Sequence, residues 1–247
     1  MLTKSAVGPI VVKIGGSLIF GDSKALRTAR LKRVFDAFSE ELGKNVVYVL
    51  GSGSIMHGLS FKYKMNDPAD IDIRMHGFAM MTRIMGKRLE LIRKTLACGV
   101  IDPMHMFYKA TRGNKLSSEI VWFGRKALEK LPATTTSGVV LDRNLLFATI
   151  SSDSEAAYIA THMRSSRIIM ATATDGIIDG HGRTIETVSI ERYTDMPFIT
   201  GGMRDKIRRV TPAVKAGIEV IVLGGNSVAK IGLSGTLKSR RYTKVVK

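Results

Sequence analysis

Residues 10–17 read IVVKIGGS, an apolar run interrupted by one lysine and followed by two glycines and a serine. A short β-branched run of this kind is typical of a buried strand. The glycines remove the side chains that would keep an anion away from the backbone N–H groups, and Lys13 adds a point charge at the strand end. The stretch therefore predicts either a phosphate-binding loop or only a tight strand-to-loop turn.

The same alternation of strand and helix patterns continues along the chain. Short apolar runs that predict strands occur at 10–14, 46–50, 139–141, 145–150, 167–173 and 220–223. Apolar residues at three- and four-residue spacing predict amphipathic helices at 24–42, 77–97, 117–131, 154–163 and 203–216. This βαβ order predicts an α/β fold with a central, mostly parallel sheet covered by helices on both faces, and with ligands at the carboxyl ends of the strands.

Composition limits the classes of protein that fit. The 247 residues carry 38 Lys+Arg and 21 Asp+Glu, for a formal net charge of +17, and 45% of them are hydrophobic. We expect a cytoplasmic chain without a membrane span, because no apolar run approaches the roughly 18 residues that a span needs. The single cysteine, Cys98, predicts neither an internal disulfide nor a thiolate metal site. Aromatic residues make up only 6% and do not alternate with the basic clusters, so we do not expect nucleic acid as a partner despite the charge, and phosphorylated small molecules fit better.

A second glycine-rich loop, GSGSIMHG at 51–58, follows the next predicted strand. It lacks the third glycine of a dinucleotide-binding loop, since that position is Met56, and the chain contains no GxxxxGK[ST] phosphate loop. The amides of such a turn are able to hold oxygen atoms, and His57 is placed to donate to an anion or to transfer a proton.

Three further segments follow predicted strands or begin predicted helices. They are TGGMRDK at 200–206, SSD at 151–153 and TDG at 174–176. Each has a purely structural alternative, a hinge for the first and helix caps for Asp153 and Asp175. Taken together, two glycine loops, two lysines and two aspartates at strand ends are what in-line phosphoryl transfer requires.

The segment 65–106 is rich in methionine and contains aspartates at its helix entry. The methionines predict an irregular core or, alternatively, an adaptable wall for an apolar ligand. Asp67, Asp70 and Asp72 favour a solvated cluster at a helix start over a metal site, so we predict no protein-bound metal.

The ordered set of these motifs resembles the amino-acid kinase superfamily, and within it the isopentenyl phosphate kinases. The motifs are KIGGS at 13–17, GSGSIMH at 51–57, SSDSEAAYIA at 151–160, TATDGI at 172–177, TGGMRDK at 200–206, GGN at 224–226 and GT at 235–236. The resemblance implies the αβα sandwich of the amino-acid kinase fold, ATP and Mg²⁺ as cofactors, and a homodimer. It also implies an acceptor-binding half at 1–150 and a nucleotide-binding half at 151–247 that share one continuous sheet.

The resemblance assigns roles to individual residues. Lys13 would stabilise the transferring phosphoryl group, Lys206 would be its partner on the nucleotide side, and Asp153 would orient both lysines. His57 is similar to the histidine with which isopentenyl phosphate kinases bind the phosphate of the acceptor, and it completes the catalytic set. The other acceptor-binding positions are Gly15, Gly16, Ser17, Gly51, Gly53, Ser54 and Gly58. The nucleotide-binding positions are Lys13, Thr174, Asp175, Gly176, Gly201, Gly202 and Lys206.

Departures from the family pattern concern the acceptor. The family's GGGSFGH loop reads GSGSIMH here, its Gly-Asp-Asp appears as Ser152-Asp153-Ser154 with one carboxylate fewer, and Lys24 is a displaced equivalent of a phosphate-holding lysine.

Our first hypothesis is phosphorylation of isopentenyl phosphate to the diphosphate, with methionine and aromatic side chains of 75–108 around the prenyl tail. The alternatives are the same chemistry on another phosphorylated or phosphonate acceptor, as in the fosfomycin kinases, and a catalytically silent relative that binds a ligand or nucleic acid.

Overall fold

The computed structural model describes residues 8–20, 26–67, 70–102, 107–112, 115–122, 134–136, 138–142 and 147–247. Numbered along the chain, the strands are β1 (Ile10–Ile14), β2 (Val46–Leu50), β3 (Val100–Ile101), β4 (Phe107–Arg112), β5 (Lys115–Trp122), β6 (Thr134–Thr136), β7 (Val139–Asp142), β8 (Phe147–Thr149), β9 (Arg167–Thr172), β10 (Thr187–Ser189), β11 (Glu219–Gly224) and β12 (Tyr242–Val246). The helices are α1 (Gly16–Phe20), α2 (Thr28–Leu42), α3 (Ser54–Lys62), α4 (Ile71–Leu96), α5 (Ser152–His162), α6 (Gly201–Lys215) and α7 (Gly225–Lys238), with a 3₁₀ turn at Tyr193–Asp195.

Eight strands form the central sheet, in the spatial order β10-β12-β11-β9-β1-β2-β6-β3. All neighbouring pairs in this sheet are parallel except β11 and β12. Both halves of the chain contribute strands, and β1 lies between β2 and β9 near the middle. The predicted mostly parallel sheet is therefore confirmed, and the division into an acceptor-binding and a nucleotide-binding half stays a prediction.

Alternating side chains of β1 separate two hydrophobic clusters, one on each face of the sheet. Val11 packs with the apolar sides of α5 and α6. Val12 and Ile14 pack on the other face with residues of α1, α2, α4 and α7. Because side chains alternate along a strand, Lys13 points to the same face as Val11, toward α5 and α6. The sheet and its two helical layers form the predicted αβα sandwich.

A smaller four-stranded sheet, in the order β5-β4-β7-β8, lies beside the main one. Its strand β8 is joined to the segment after α3, because the Asn66 amide exchanges hydrogen bonds with Thr149 and the Ser60 hydroxyl contacts the Thr149 hydroxyl at 2.8 Å. These bonds fix one rim of the cavity described below.

One prediction of secondary structure was wrong. The helix predicted at 117–131 is strand β5 up to Trp122, antiparallel to β4, and the rest of that range lies outside the described residues. The β-branched and aromatic residues Ile120, Val121 and Trp122 suit a strand better than a helix. A strand that was not predicted, β12, lies within the carboxyl-terminal basic segment at 238–247; its Thr243 and Val245 are buried, and Lys244 lies between them.

Among the described helices, none combines the length and the apolar composition that crossing a membrane requires.

Candidate active site

Two lysines and one aspartate meet at the carboxyl end of β1. Lys13 Nζ lies 2.8 Å from Asp153 Oδ1, and Lys206 Nζ donates to the same oxygen at 3.0 Å. The side chains are 6%, 11% and 14% exposed for Lys13, Lys206 and Asp153 respectively. The structure thus brings together three of the four residues that the sequence predicted to be catalytic.

Three different elements position this cluster. β1 directs Lys13 to the face covered by α5 and α6, as the strand alternation requires. Ser151 caps α5 by accepting a hydrogen bond from the Asp153 N–H at 3.3 Å. The helix cap proposed as the structural alternative for Asp153 is therefore provided by Ser151. Lys206 lies on the buried side of α6, which packs against α5.

The cluster contains two ammonium groups and one carboxylate, and this excess of positive charge affects the pKa values of Asp153 and Lys206. Burial by itself would raise the pKa of Asp153, but the charges and hydrogen bonds of Lys13 and Lys206 hold that pKa far below its usual range. Burial, followed by repulsion from Lys13, lowers the pKa of Lys206 to about 8, and Asp153 offsets only part of this effect. A bound polyanion would restore the balance of charge.

The two predicted glycine loops touch each other through their backbones. A Cβ placed on Gly16 would lie 2.3 Å from the Gly53 nitrogen, and one placed on Gly51 would lie 2.5 Å from the Gly16 nitrogen. Gly53 also has a φ of +80°, and a Cβ there would lie 2.7 Å from the Phe20 ring. Glycine at these positions is therefore required by the close contact of the loops, in addition to any role in binding.

The structure corrects how these loops would hold an anion. The Gly15 N–H donates to Ala171 O and the Gly51 N–H donates to Ile14 O, both at 2.8 Å, so these two amides already have partners within the sheet region. At the start of α3, by contrast, the N–H groups of residues 54–56 have no intrahelical acceptor and no side chain caps them. The exposed Ser54 and its neighbours are thus the part of the second loop that can donate to an oxyanion.

Arg88 supports the second loop from behind, and the sequence analysis missed it. Its buried guanidinium donates to the Ser52 carbonyl and lies 4.0 Å from the centre of the Phe20 ring. Burial lowers the pKa of Arg88. Because Arg88 lies within the methionine-rich helix α4, 36 residues after the loop, only the tertiary contact identifies it.

A cavity of about 790 Å³ opens beside the lysine cluster. Its lining combines polar and apolar side chains and consists of Ser52, Met56, His57, Ser60, Asn66, Met81, Gly138, Thr149, Ile150, Ser151, Ser154, Ala157, Tyr158, Thr161, His162, Arg208, Arg209 and Pro212. The charged groups among these residues are basic. The cavity therefore suits an anionic ligand with some apolar surface.

His57, the fourth residue predicted to be catalytic, lies on α3 in the wall of this cavity. Partial burial, then the charge of Lys13, lowers its pKa, with a smaller contribution from Arg209. Asp153 offsets part of this lowering, and the negative charge of a bound phosphate would raise the pKa of His57 again.

The predicted nucleotide-side loop after β9 is held by hydrogen bonds to α7 and neighbouring strands. Asp175 Oδ1 accepts from the Ser227 hydroxyl at 2.5 Å, and the Thr174 hydroxyl donates to Gly176 O at 2.9 Å. Gly176 has a φ of +88° and is packed against Thr243. Asp175 thus bonds to a side chain in the first turn of the helix at Gly225–Lys238, which is a different contact from the helix cap that was its structural alternative, and its nucleotide-binding role stays a prediction.

The remaining predicted positions are exposed. Gly201 and Gly202 begin α6, with Thr200 before them and no side-chain cap, which leaves the first amides of that helix open to an anion. Ser17, in α1, and Gly58, in α3, are exposed as well. Lys24 lies outside the described residues.

The methionine-rich segment divides between core and surface. Met65, Met81 and Met85 are buried, whereas Met75 and Met80 are 47% and 42% exposed. Of these five, Met81 lines the cavity, and the enclosure of a prenyl tail by residues 75–108 stays a prediction. Met104 and Met106 lie outside the described residues.

The aspartates at the entry of α4 form a surface cluster. Asp70 precedes the helix and contacts Lys64 at 3.5 Å, while Asp72 lies in its first turn. In the described part of the chain, no group of three or more His, Cys, Asp or Glu side chains is arranged to hold a metal ion.

Comparison with known proteins identifies the family. The model of the amino acid kinase family matches residues 8–224, so the chain belongs to the amino acid kinase family. An acetylglutamate kinase of Caulobacter vibrioides (strain NA1000 / CB15N) is 29% identical over 96 residues, which are 38% of this chain and 31% of that protein. A glutamate 5-kinase of Thermotoga maritima is 19% identical over 230 residues, covering 90% of this chain and 64% of that protein. The chain thus spans about a third to two thirds of the length of these relatives.

Solved structures share the fold over nearly the whole chain. A substrate complex of an isopentenyl phosphate kinase has a TM-score of 0.72 at 15% identity, covering 96% of this chain and 99% of that one. A product complex of the T. acidophilum isopentenyl phosphate kinase has a TM-score of 0.67 at 16% identity, with the same coverage. The amino-acid kinase fold predicted from the motifs is confirmed.

Proposed function

We propose that this protein is an ATP-dependent phosphotransferase whose acceptor is a phosphate monoester. The observation that carries the proposal is the contact of Lys13 and Lys206 with one oxygen of Asp153, beside a cavity that contains His57. Membership of a kinase family supports ATP as the phosphoryl donor.

In the proposed reaction, the bond between the γ-phosphorus and the oxygen bridging to the β-phosphate breaks, and a bond to an oxygen of the acceptor's phosphate forms. The products are ADP and a diphosphate. Lys13 and Lys206 neutralise charge on the transferring group, and Asp153 keeps the two ammonium groups in place. No general base is needed, because a phosphate monoester is already anionic at neutral pH.

The nucleotide would carry its own metal. Mg²⁺ commonly binds to substrate phosphates and water with only one or two protein carboxylates. The described residues contain no cluster of three or more side chains that could hold a metal ion. They therefore fit a Mg²⁺ ion that arrives bound to ATP better than an ion held by the protein. Such an ion would neutralise phosphate charge during transfer.

Isopentenyl phosphate is the first acceptor to assay, because solved isopentenyl phosphate kinases share this fold and because His57 occupies the cavity wall. A second candidate is a kinase for a different phosphorylated acceptor. The polar lining around Ser154 and Arg209, together with the small methionine contribution, favours this second candidate.

The test is phosphoryl transfer from labelled ATP to a panel of phosphate monoesters that includes isopentenyl phosphate. Lys13→Ala should lower kcat by at least about 1,000-fold, because a charge that acts on the transition state is removed. His57→Ala should mainly raise the KM for the acceptor, by roughly 10- to 100-fold, through loss of a hydrogen bond to a charged group. His76→Ala is the matched control, since His76 is exposed on α4 and bonds only locally to Asp72 O. Near-normal turnover in Lys13→Ala would refute the proposal.

A further inference from the structure

A second polar bridge joins α5 and α6 next to the lysine cluster. Lys206 donates to Asp153, and three residues later Arg209 Nη1 donates to the Ser154 hydroxyl at 3.1 Å. Three residues of helix advance by about 4.5 Å, so the second bridge lies roughly one turn further along α6. Both Ser154 and Arg209 line the cavity.

The two bridges differ in charge. Lys206 is bonded to a carboxylate, whereas Arg209 is bonded to a neutral hydroxyl, and in the described part of the chain no carboxylate lies within ion-pair distance of Arg209. Its neighbour Arg208 has such a partner, Asp205, at 2.7 Å. The hydroxyl of Ser154 therefore orients the Arg209 guanidinium without neutralising it.

Arg209 faces the same cavity as His57. The two residues come from α6 and α3 and both belong to the lining, which includes no Asp or Glu among the described residues. A guanidinium has five N–H donors in a planar fork that matches a carboxylate or a phosphate. One donor is used by Ser154, so most of the fork remains for a ligand.

We propose that Arg209 is a specificity-determining residue that binds a second anionic group of the acceptor, a carboxylate or a phosphate, about one helical turn from the phosphate that receives the phosphoryl group. This inference rests on the proposed function. It favours an acceptor that is anionic at both ends over isopentenyl phosphate, whose tail is apolar.

The test measures binding by titration calorimetry, without ATP. The probes are ω-carboxyalkyl phosphates of two to five carbons, the alkyl phosphates of the same lengths, and the corresponding α,ω-bisphosphates. For the wild-type protein we expect at least one doubly anionic probe to bind about tenfold or more tightly than its alkyl counterpart, as a charge-assisted hydrogen-bond pair implies. The better of the carboxylate and bisphosphate series identifies the second group.

Variants separate the role of Arg209 from general charge. Arg209→Met should abolish the preference, and Arg209→Lys should retain part of it. Ser154→Asp should also abolish it, because the new carboxylate would pair with Arg209. Lys215→Met removes one charge from the exposed end of the same helix and should leave the preference unchanged.

Two results would overturn the inference. One is a wild-type protein that shows no preference at any chain length. The other is an Arg209→Met variant that weakens alkyl and doubly anionic probes equally, which would mean that Arg209 binds the shared phosphate. Because binding is measured without turnover, absence of phosphoryl transfer would count against the proposed function alone.

Discussion

Asp153 determines the charge balance of the site, because it is the shared partner of two buried ammonium groups. Its lysine contacts lower its pKa from the usual 3.8, which means that folding favours the ionised form. Such a group contributes stability at pH values above the unfolded-state pKa, and this contribution is lost as the pH falls below it.

Asp153→Asn should therefore lower the free energy of unfolding by about 3 kcal/mol at pH 7, because both lysines would remain buried without a counter-charge. Asp36→Asn, which breaks the exposed pair with Lys32, should change it by no more than about 0.5 kcal/mol. Urea denaturation between pH 3 and pH 7 measures both. The deficit of Asp153→Asn should shrink as the pH falls below about 4. Equal stability of Asp153→Asn and wild type at pH 7 would show that the contact contributes nothing.

Lys206 should make nucleotide capture dependent on pH. Burial and repulsion from Lys13 lower its pKa to about 8, so the free protein loses this charge as the pH rises through that value. We expect kcat/KM for ATP, which reports ionisations of the free enzyme, to fall above pH 8. In Lys206→Arg the fall should move to much higher pH, since a guanidinium stays charged, even if the plateau is lower. An unchanged profile in that variant would assign the ionisation to another group.

Sequence reasoning found Lys13, Asp153 and Lys206 because each lies in a short motif at the end of a strand or the start of a helix. It missed Arg88 and Arg209, because neither belongs to such a motif. Arg88 contacts Ser52 and Arg209 contacts Ser154, in both cases far away in the chain. The sequence contained one indirect indication that Arg209 lies near the site, because it follows Lys206 by three residues and so shares its helical face.

The turn between β1 and α1 packs against the turn between β2 and α3, and this contact fixes both glycine loops. Short β-branched apolar runs, each followed by glycine, made the two strands predictable from sequence. The loop contact was not predictable, since it depends on the register Ile14 with Leu50 between the parallel strands.

Gly16→Ala should disrupt this contact, because a Cβ would lie 2.3 Å from the Gly53 nitrogen and backbone cannot move aside cheaply. We expect a loss of about 2 kcal/mol or more in the free energy of unfolding, as for other severe overpacking, together with loss of phosphoryl transfer. The matched control is Gly86→Ala in the exposed middle of α4, where a Cβ meets no atom within 4 Å. That change should stabilise the protein by about 0.5–1 kcal/mol. Thermal denaturation of both variants is the measurement, and similar effects at the two positions would contradict the packing argument.

Elsewhere, local patterns were ambiguous about element type. The stretch that includes β5 has helix-compatible apolar spacing, but it also has β-branched and aromatic residues, and it forms a strand that pairs antiparallel with β4. Strand β12 was not predicted because it lies within a basic segment, although its alternating burial is evident once it pairs with β11 and β10.

The fold of the whole molecule brings the ammonium groups of Lys13 and Lys206, which are 193 positions apart in the chain, into contact with one oxygen of Asp153. A mostly parallel sheet makes this possible, because it collects the ends of β1, β2, β9 and β11 at one edge. The order of motifs was sufficient to predict this fold. It was not sufficient to predict the lining of the cavity, which combines α3, β8, α5 and α6.

A crystal structure of the protein with an unreactive ATP analogue and isopentenyl phosphate, or the doubly anionic phosphate that binds best, tests the central claim most directly. The account predicts that oxygens of the γ-phosphoryl group lie within about 3 Å of both Lys13 Nζ and Lys206 Nζ, with the acceptor's phosphate beside His57. A nucleotide bound with its γ-phosphate out of reach of either lysine, or an acceptor phosphate bound away from His57, would contradict it.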